Sequence, residues 1–487
     1  MPNNHSRRDW FLCGYACFLI VVLLGSLLQP GVLLLRDMVV LNHPALHLSA
    51  LGFGDLPARN APQDGFLALI GHVLPASWMV RVLLFATAGI GAWAAYKLTR
   101  AHTLSTLAAA AAITITLWNP FTIERLLQGH WSVALVAWLV PALLYFHDRP
   151  GRQTLALWLC SLTPTGAVLG TTIAVIASRH HRLRIAVTGL LVSLPWLVPS
   201  LITPPAAGAH KLFIGRGEAF LDPITSFITL GGLWNSEAIP DSRHHGWIIA
   251  GIALFALLVW HMPRRWAITS SVAIALYCAL WLGPSDWVFA HAPGAALFRD
   301  SHKLALLLIP GYVTAATRLT NRWLAGLATG LAILQIPDAP IALSALSPLP
   351  ALHQWHTPDR TLGDLLNLDS QGLITYQGRP LVDPLYKAES VVESGRLIVD
   401  KHLADPASRR YQQASAAWRA NDTAALARLG VSQVLVNGTR TTIPHPAPPP
   451  KHRYLLGLAL LLLWCAVPIA AAWLSLCRNR RPVSSQE

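Results

Sequence analysis

The stretch from Arg36 to Asp64, RDMVVLNHPALHLSALGFGDLPARNAPQD, gathers several chemistry-bearing residues between apolar segments. Asp37 stands one residue beyond a long apolar run, Asp55 and Asp64 follow, and Arg36 and Arg59 lie among them, in a chain of which only 12% of residues are charged. An ionised carboxylate can take a proton from a hydroxyl, and arginine or lysine can hold a phosphate. The same pairing of signs recurs in three further stretches: Glu124 with Arg125; Arg216, Glu218, Asp241 and Arg243; and Arg299, Asp300 and Lys303. Together they point to transfer from a phosphate-bearing donor. Asp37 is the candidate base and Asp55 its rival, while Arg299 and Lys303, with Arg125 and Arg216 behind them, are the candidate phosphate ligands.

Composition says where such residues must sit. The chain has 487 residues, 53% of them hydrophobic, with 19 Trp and a mean hydropathy of +0.45. Several apolar runs approach the roughly 20 residues needed to cross a bilayer, so a multi-pass membrane protein is expected. The 37 Lys and Arg against 23 Asp and Glu give a net charge of +14. Those cations recur in short loops between apolar runs, which is the pattern of membrane orientation rather than of nucleic-acid binding. The six cysteines fall in or beside predicted spans without the spacing of a zinc site, and no disulfide framework is indicated.

In chain order, the apolar run from Trp10 to Leu35 follows Arg7 and Arg8 and reads as a first span with its N-terminus inside. Basic clusters at Lys97 and Arg100, at HDRPGR (147–152), at RHHRLR (179–184), at Arg264 and Arg265, at Arg318 and Arg322, and at Arg478, Arg480 and Arg481 mark inner loops. Both ends of Gln153–Ser178 are then inner, so that segment must reverse, and Thr163-Pro164-Thr165-Gly166 supplies the break. The expected fold is an all-α polytopic membrane protein of about twelve transmembrane helices with both termini cytoplasmic. Residues 1–346 form the membrane domain, 347–453 a small outer α/β module, and 454–487 the final helix and tail. Within the module, LITY (373–376) and VSQVLV (431–436) read as strands and Arg409–Leu429 as a helix.

The twenty histidines are dispersed, and no H-E-x-x-H, G-x-x-x-x-G-K or G-x-S-x-G motif is present, which argues against common membrane protease, ATPase and hydrolase chemistries. No cofactor is indicated. A divalent cation held by a single outer carboxylate stays open, although the first loop has no D-x-D.

RDMV (36–39), GFGDLPARNAPQD (52–64), NPFTIERLLQGHW (119–131), TPTG (163–166) and FRDSHK (298–303) resemble the GT-C superfamily of polytopic glycosyltransferases, in particular the branch that builds envelope arabinan or mannan. The resemblance implies a GT-C-like membrane domain, a polyprenyl-phosphate sugar donor, an essential acid in the first outer loop, and transfer with inversion to an envelope glycan or glycolipid at the outer face. It places Arg59, Glu124, Gln128, His130, Asp300 and His302 around the substrate. The alternatives are a lipid or lipid-linked-sugar transporter and an inactive scaffold of the same architecture. The orientation can be tested: cysteines introduced at Ser49 and Ser390 should react with a membrane-impermeant thiol reagent from outside, and one at Arg179 should not; labelling of position 179 in sealed cells would overturn it.

Overall fold

The computed structural model describes residues 4–202, 210–283, 285–291, 295–352, 355 and 363–479. Residues 204–209 of one expected outer loop, and Arg480 and Arg481 of the last basic cluster, lie outside the described residues. Helix accounts for 62% of the structure. The first part of the chain runs α1 (Asn4–Leu24), β1 (Leu33–Leu35), β2 (Met38–Val40), α2 (Gln63–Gly71), α3 (Ala76–Arg100), α4 (Thr106–Leu117), α5 (Pro120–Gln128), α6 (Trp131–Tyr145), α7 (Pro150–Cys160), α8 (Pro164–Ala177) and α9 (Arg182–Ile202). It continues through α10 (Pro223–Ile228), α11 (Ile248–Val259), α12 (Arg264–Leu282), α13 (Ser285–His291), α14 (Ile309–Ala316), α15 (Arg322–Leu334) and α16 (Ala339–Leu343). Helix α6 is the axis of this bundle: every residue from Trp131 to Leu144 is buried. Helix α3 crosses it closely because Gly91 faces the Trp138 carbonyl, where a side chain would collide.

The polar part follows as β3 (Asp364–Asn367), β4 (Leu373–Tyr376), β5 (Arg379–Val382), α17 (Leu385–Ala388), β6 (Leu397–Val399), β7 (His402–Asp405), α18 (Arg409–Arg419), α19 (Thr423–Arg428), β8 (Val431–Val436) and β9 (Thr439–Thr442), before the C-terminal α20 (Lys451–Asn479). Strand β8 pairs with β3 in parallel and with β9 antiparallel, and α18 and α19 cover the sheet through Tyr411, Ala414 and Leu426. The strands expected at 373–376 and 431–436 are β4 and β8. The helix expected over 409–429 is divided in two, because Asn421 takes a positive φ and the Asp422 side chain caps a new helix at Ala425.

The first span is shorter than the sequence suggests. Helix α1 ends at Leu24, one 3₁₀ turn follows, and Leu33–Leu35 is a strand. Pro30 cannot continue the helical bonding, and Gly31, at φ +126, packs its backbone onto Leu349. The apolar run continued because β1 and β2 are buried on both faces. Leu33, Leu35, Met38 and Val40 enter the core of the helical bundle, while Leu34 and Val39, with Val32 and Leu41, enter a second core with Leu365, Leu381, Leu385 and Val391 of the module. That is the two-residue alternation of a strand wedged between two apolar bodies.

The count of spans also differs. Among the described residues six helices are long and apolar enough to cross a membrane, Arg8–Leu28, Ala76–Arg100, Thr106–Gln128, Arg182–Ile202, Arg264–Leu282 and Lys451–Trp473, and a seventh span is available if α15 and the segment Ala339–Leu346, bent by 43°, count as one. Runs that read as further spans form α6, α11 and α14, of 15, 12 and 8 residues, short of the ~20 a crossing requires. Periodicity cannot separate a helix buried in protein from one buried in lipid. The reversal expected inside Gln153–Ser178 coincides with the break between α7 and α8. Ser49 and Ser390 are both hydrogen-bonded, to Glu393 and Asp364, so the exposed Asn437 in the β8–β9 turn is a cleaner labelling position for testing the expected orientation.

The join between hairpin and bundle rests on Gly129, which ends α5 at φ +88 with its Cα against the backbone of Leu35, Asp37 and Met38. A Cβ there meets backbone that has nowhere to go. Gly129→Ala should therefore lower the thermal unfolding midpoint in detergent, with a cost on the order of 1–3 kcal/mol. Gly326→Ala, in open space on α15, should leave the midpoint unchanged or raise it.

Candidate active site

The hairpin turn is Arg36-Asp37. Arg36 has φ +47, a conformation that a non-glycine residue adopts at a cost of about 1–3 kcal/mol. Bonds from four directions hold it there. Its N–H donates to the Pro380 carbonyl at 2.9 Å and its carbonyl accepts from Val382 N at 3.0 Å, while Nη1 donates to Leu127 O at 2.7 Å and Nη2 to Glu237 O at 2.6 Å. The strained turn separates the two charged side chains and leaves Asp37 facing the end of α5.

Asp37 accepts from Gln128 Nε2 at 2.8 Å and stands 3.1 Å from His130 Nε2, both at Oδ2. Among the described residues no donor occupies Oδ1. The side chain is 44% exposed, so the carboxylate is accessible beside the charged groups that flank it. Burial opposes ionisation of Asp37, but the hydrogen bonds from His130 and Gln128 and the Lys303 charge outweigh it and hold the carboxyl below its ordinary value. An ionised acid with one vacant oxygen in a recess has the form of a general base.

The orientation of His130 is set from behind. Arg125 Nη1 donates to His130 Nδ1 at 3.1 Å, which places the ring proton on Nε2, toward Asp37. Arg125 is fully buried, forms a two-point pair with Asp300 whose second bond is 3.0 Å, and donates through Nη2 to His302 Nδ1 at 2.8 Å. His302 is the neutral partner in this arrangement: burial and the Arg125 charge lower its pKa to about 3. Glu124 accepts from Leu233 N at 3.2 Å, 3.9 Å from His302, beside the closed buried pair Glu218–Arg243. Glu124, Arg125, Asp300 and His302 thus form a support layer, and Arg125 is not free to bind phosphate as its position in the sequence suggests. Only Gln128, His130 and Arg59 of the expected substrate residues reach the recess.

The charges of Lys303 and Arg59 act on Asp37, and Arg299 is the neighbour of both cations. Arg59 is 48% exposed and lies 3.7 Å from Asp405. Arg299 donates to both Asp405 oxygens at 2.8 and 2.9 Å and stacks 4.0 Å above the Phe213 ring. Lys303 Nζ has one protein partner among the described residues, the Leu297 carbonyl at 3.5 Å. Burial and the neighbouring Arg125, Arg299 and Arg59 charges lower the pKa of Lys303 to about 8, with Asp300 opposing them, and burial with the Arg299 charge lowers that of Arg59 to about 10. Three crowded cations with two carboxylates, Asp37 and Asp405, form a place for an anion. Arg216 does not join them; it pairs with Asp400 at 2.5 Å in the β6–β7 turn.

Asp55 is also elsewhere. Its backbone N donates to Glu393 Oε2 at 2.9 Å, and its carboxylate accepts from Glu393 N at 3.1 Å and from Arg410 at 3.3 Å. It pins the first loop to the module. Burial and the Asp55 charge push Glu393 up to about 7. Sequence reasoning missed Asp405, Glu393 and Arg410, all from the module; the only sequence signal was charge in a segment otherwise read as a spacer. Among the described residues no group of three or more His, Cys, Asp or Glu side chains is arranged to hold a metal ion.

If His130 holds Asp37 in its ionised state, His130→Ala should move the acid limb of any Asp37-dependent activity upward in pH, since burial then acts with less opposition. His130→Gln, which can still donate, should move it less. An acid limb that stays in place in His130→Ala would remove His130 from this role.

Comparisons with protein-family models, with curated proteins and with solved structures return no match for this chain.

Proposed function

We propose that the protein is a GT-C-type membrane glycosyltransferase that moves a sugar, arabinofuranose or mannose, from a polyprenyl-phosphate donor to a cell-envelope glycan or glycolipid at the outer face, with inversion. The observation that carries the reading is the juxtaposition of Asp37, with its vacant Oδ1, and the cations Arg59, Arg299 and Lys303 across one recess. In the transfer, Asp37 takes the proton of the acceptor hydroxyl as that oxygen bonds to the anomeric carbon. The bond from that carbon to the phosphate oxygen breaks, and the cations take up the charge of the departing polyprenyl phosphate. No metal is required by these steps. The reading places the basic loops and both termini in the cytoplasm and the module outside. The short helices α6, α8, α11 and α14 then act as partial passes or core between the long spans.

A transporter of lipid-linked sugars draws on a different observation, the buried charges at Arg125–Asp300 and Glu218–Arg243. Both are closed pairs that support the recess. A translocation path needs polar groups along the bilayer thickness, so the surface reaction is favoured.

Membranes carrying the protein, supplied with a panel of radiolabelled polyprenyl-phosphate sugars, should transfer label to acceptor. Asp37→Asn should lower the rate by a factor on the order of 100 or more while donor binding persists. With Lys303 losing its proton near pH 8, donor affinity should weaken as pH rises through that value, and Lys303→Arg should remove the weakening. An Asp37→Asn protein as active as the parent would sink the assignment of the base.

A further inference from the structure

Beside Arg36 lies a second recess, with a volume of about 360 Å³, within the range of small-molecule sites. Its walls come from the hairpin (Leu35, Arg36), the end of α5 (Leu127), the segment 237–241, α16 (Ile341, Ala342) and the β4–β5 turn (Arg379). Two of these residues adjoin the first site in sequence: Arg36 precedes Asp37, and Leu127 precedes Gln128, which bonds to Asp37. The segment 235–242 serves both recesses, since Asn235 Nδ2 donates to Gln128 Oε1 at 2.8 Å while Glu237 and Asp241, two and six residues on, line the second.

The chemistry of the second recess is unlike that of the first. Its acids, Glu237, Asp241 and Asp338, outnumber its cations, Arg36 and Arg379, so it repels rather than attracts a second phosphate. Asp338 is occupied by the backbone N–H and hydroxyl of Ser242, and Arg379 by the Ser347 carbonyl at 2.8 Å. Glu237 and Asp241 keep 72% and 84% of their side-chain surface open, with Arg36 3.9 Å from one Glu237 oxygen and His245 3.5 Å from one Asp241 oxygen. Open carboxylates accept hydrogen bonds from hydroxyl groups, and Leu35, Leu127 and Ile341 offer an apolar floor for C–H faces. That combination suits an uncharged polyol.

We propose that this recess binds the acceptor, a neutral saccharide whose reacting hydroxyl reaches past the turn to Asp37, while the donor phosphate occupies the cationic recess. The proposal rests on the glycosyltransferase reading and adds to it the class and seat of the second substrate. An acceptor seated beside Arg36 and a donor phosphate among the cations would bring the two substrates together at Asp37, the residue next to Arg36.

Ala342→Trp fills the recess without altering a charge, and Glu237→Gln with Asp241→Asn weakens its acceptors without filling it. With a short synthetic mannoside or arabinoside as acceptor, both variants should raise the acceptor KM by at least about tenfold, with hydrolysis of the donor in the absence of acceptor unchanged. Direct titration of the same oligosaccharide by calorimetry should show binding to the parent and its loss in both variants. This second measurement does not depend on turnover: a parent that binds the oligosaccharide but transfers nothing would overturn the glycosyltransferase reading and leave the pocket standing. Acceptor KM and binding within twofold of the parent in both variants, or no binding by the parent at all, would overturn the pocket.

Discussion

Everything at the candidate site depends on a hairpin whose six strand residues are apolar on both faces. Leu33, Leu35, Met38 and Val40 are committed to the helical bundle, and Leu34 and Val39 to the module. Each such side chain contributes roughly 1.5–3 kcal/mol on burial. A slip of one residue would exchange the two sets and set both cores against the wrong partners. The register is fixed from two directions at once, and the turn between the strands is held where Arg36 would not choose to be.

The charges around this turn divide into closed and open groups. Arg125–Asp300 and Glu218–Arg243 lie in the protein interior with their partners attached, and removing one member of such a pair strands the other at a cost of about 3–5 kcal/mol. These are supports whose loss would damage the fold as much as any chemistry. Asp37, Arg59 and Lys303 are incompletely satisfied by protein, and Arg299, though paired with Asp405, lies among them. Exposure alone would not separate the groups, because Arg216 and Asp400 are more open than Lys303 and yet are paired with each other. The useful distinction is between charges that complete one another and charges that wait for something else.

Much of the support layer was legible because it is local. Asn119, Pro120 and Gly129 mark both ends of α5, and the spacing within NPFTIERLLQGHW presents Gln128 and His130 together. Asp37 stood out as an acid beside a long apolar run. What the run could not show was its change from helix to strand, since a strand buried on both faces has no polar alternation to betray it. The number of spans was hard to read for a related reason: α6 is strongly apolar and wholly buried, yet only 15 residues long. Asp55 was the rival of Asp37 in the loop, and the partners brought from the module, Glu393 and Arg410, hold it elsewhere. Arg216 pointed to phosphate by charge and was claimed instead by Asp400. Such pairings between residues distant in the chain leave no periodic trace in it.

The closure of the first loop by the module also bears on the order of events during synthesis. Ser49 and Glu393, hydrogen-bonded in the finished protein, are separated by 344 residues, and at roughly 5–20 residues per second the ribosome needs on the order of 20–70 s to supply the second after the first. For that interval the hairpin has half of its apolar surface uncovered, Arg36 lacks the β5 strand that holds its backbone, and Arg299, when it emerges, has no Asp405 to meet. The nascent chain therefore carries nearly all the recess residues long before it has a recess, and a ribosome that stalls before β7 leaves in the membrane a bundle with an open, adhesive strand edge. The N-terminal hairpin is among the first elements made and among the last completed.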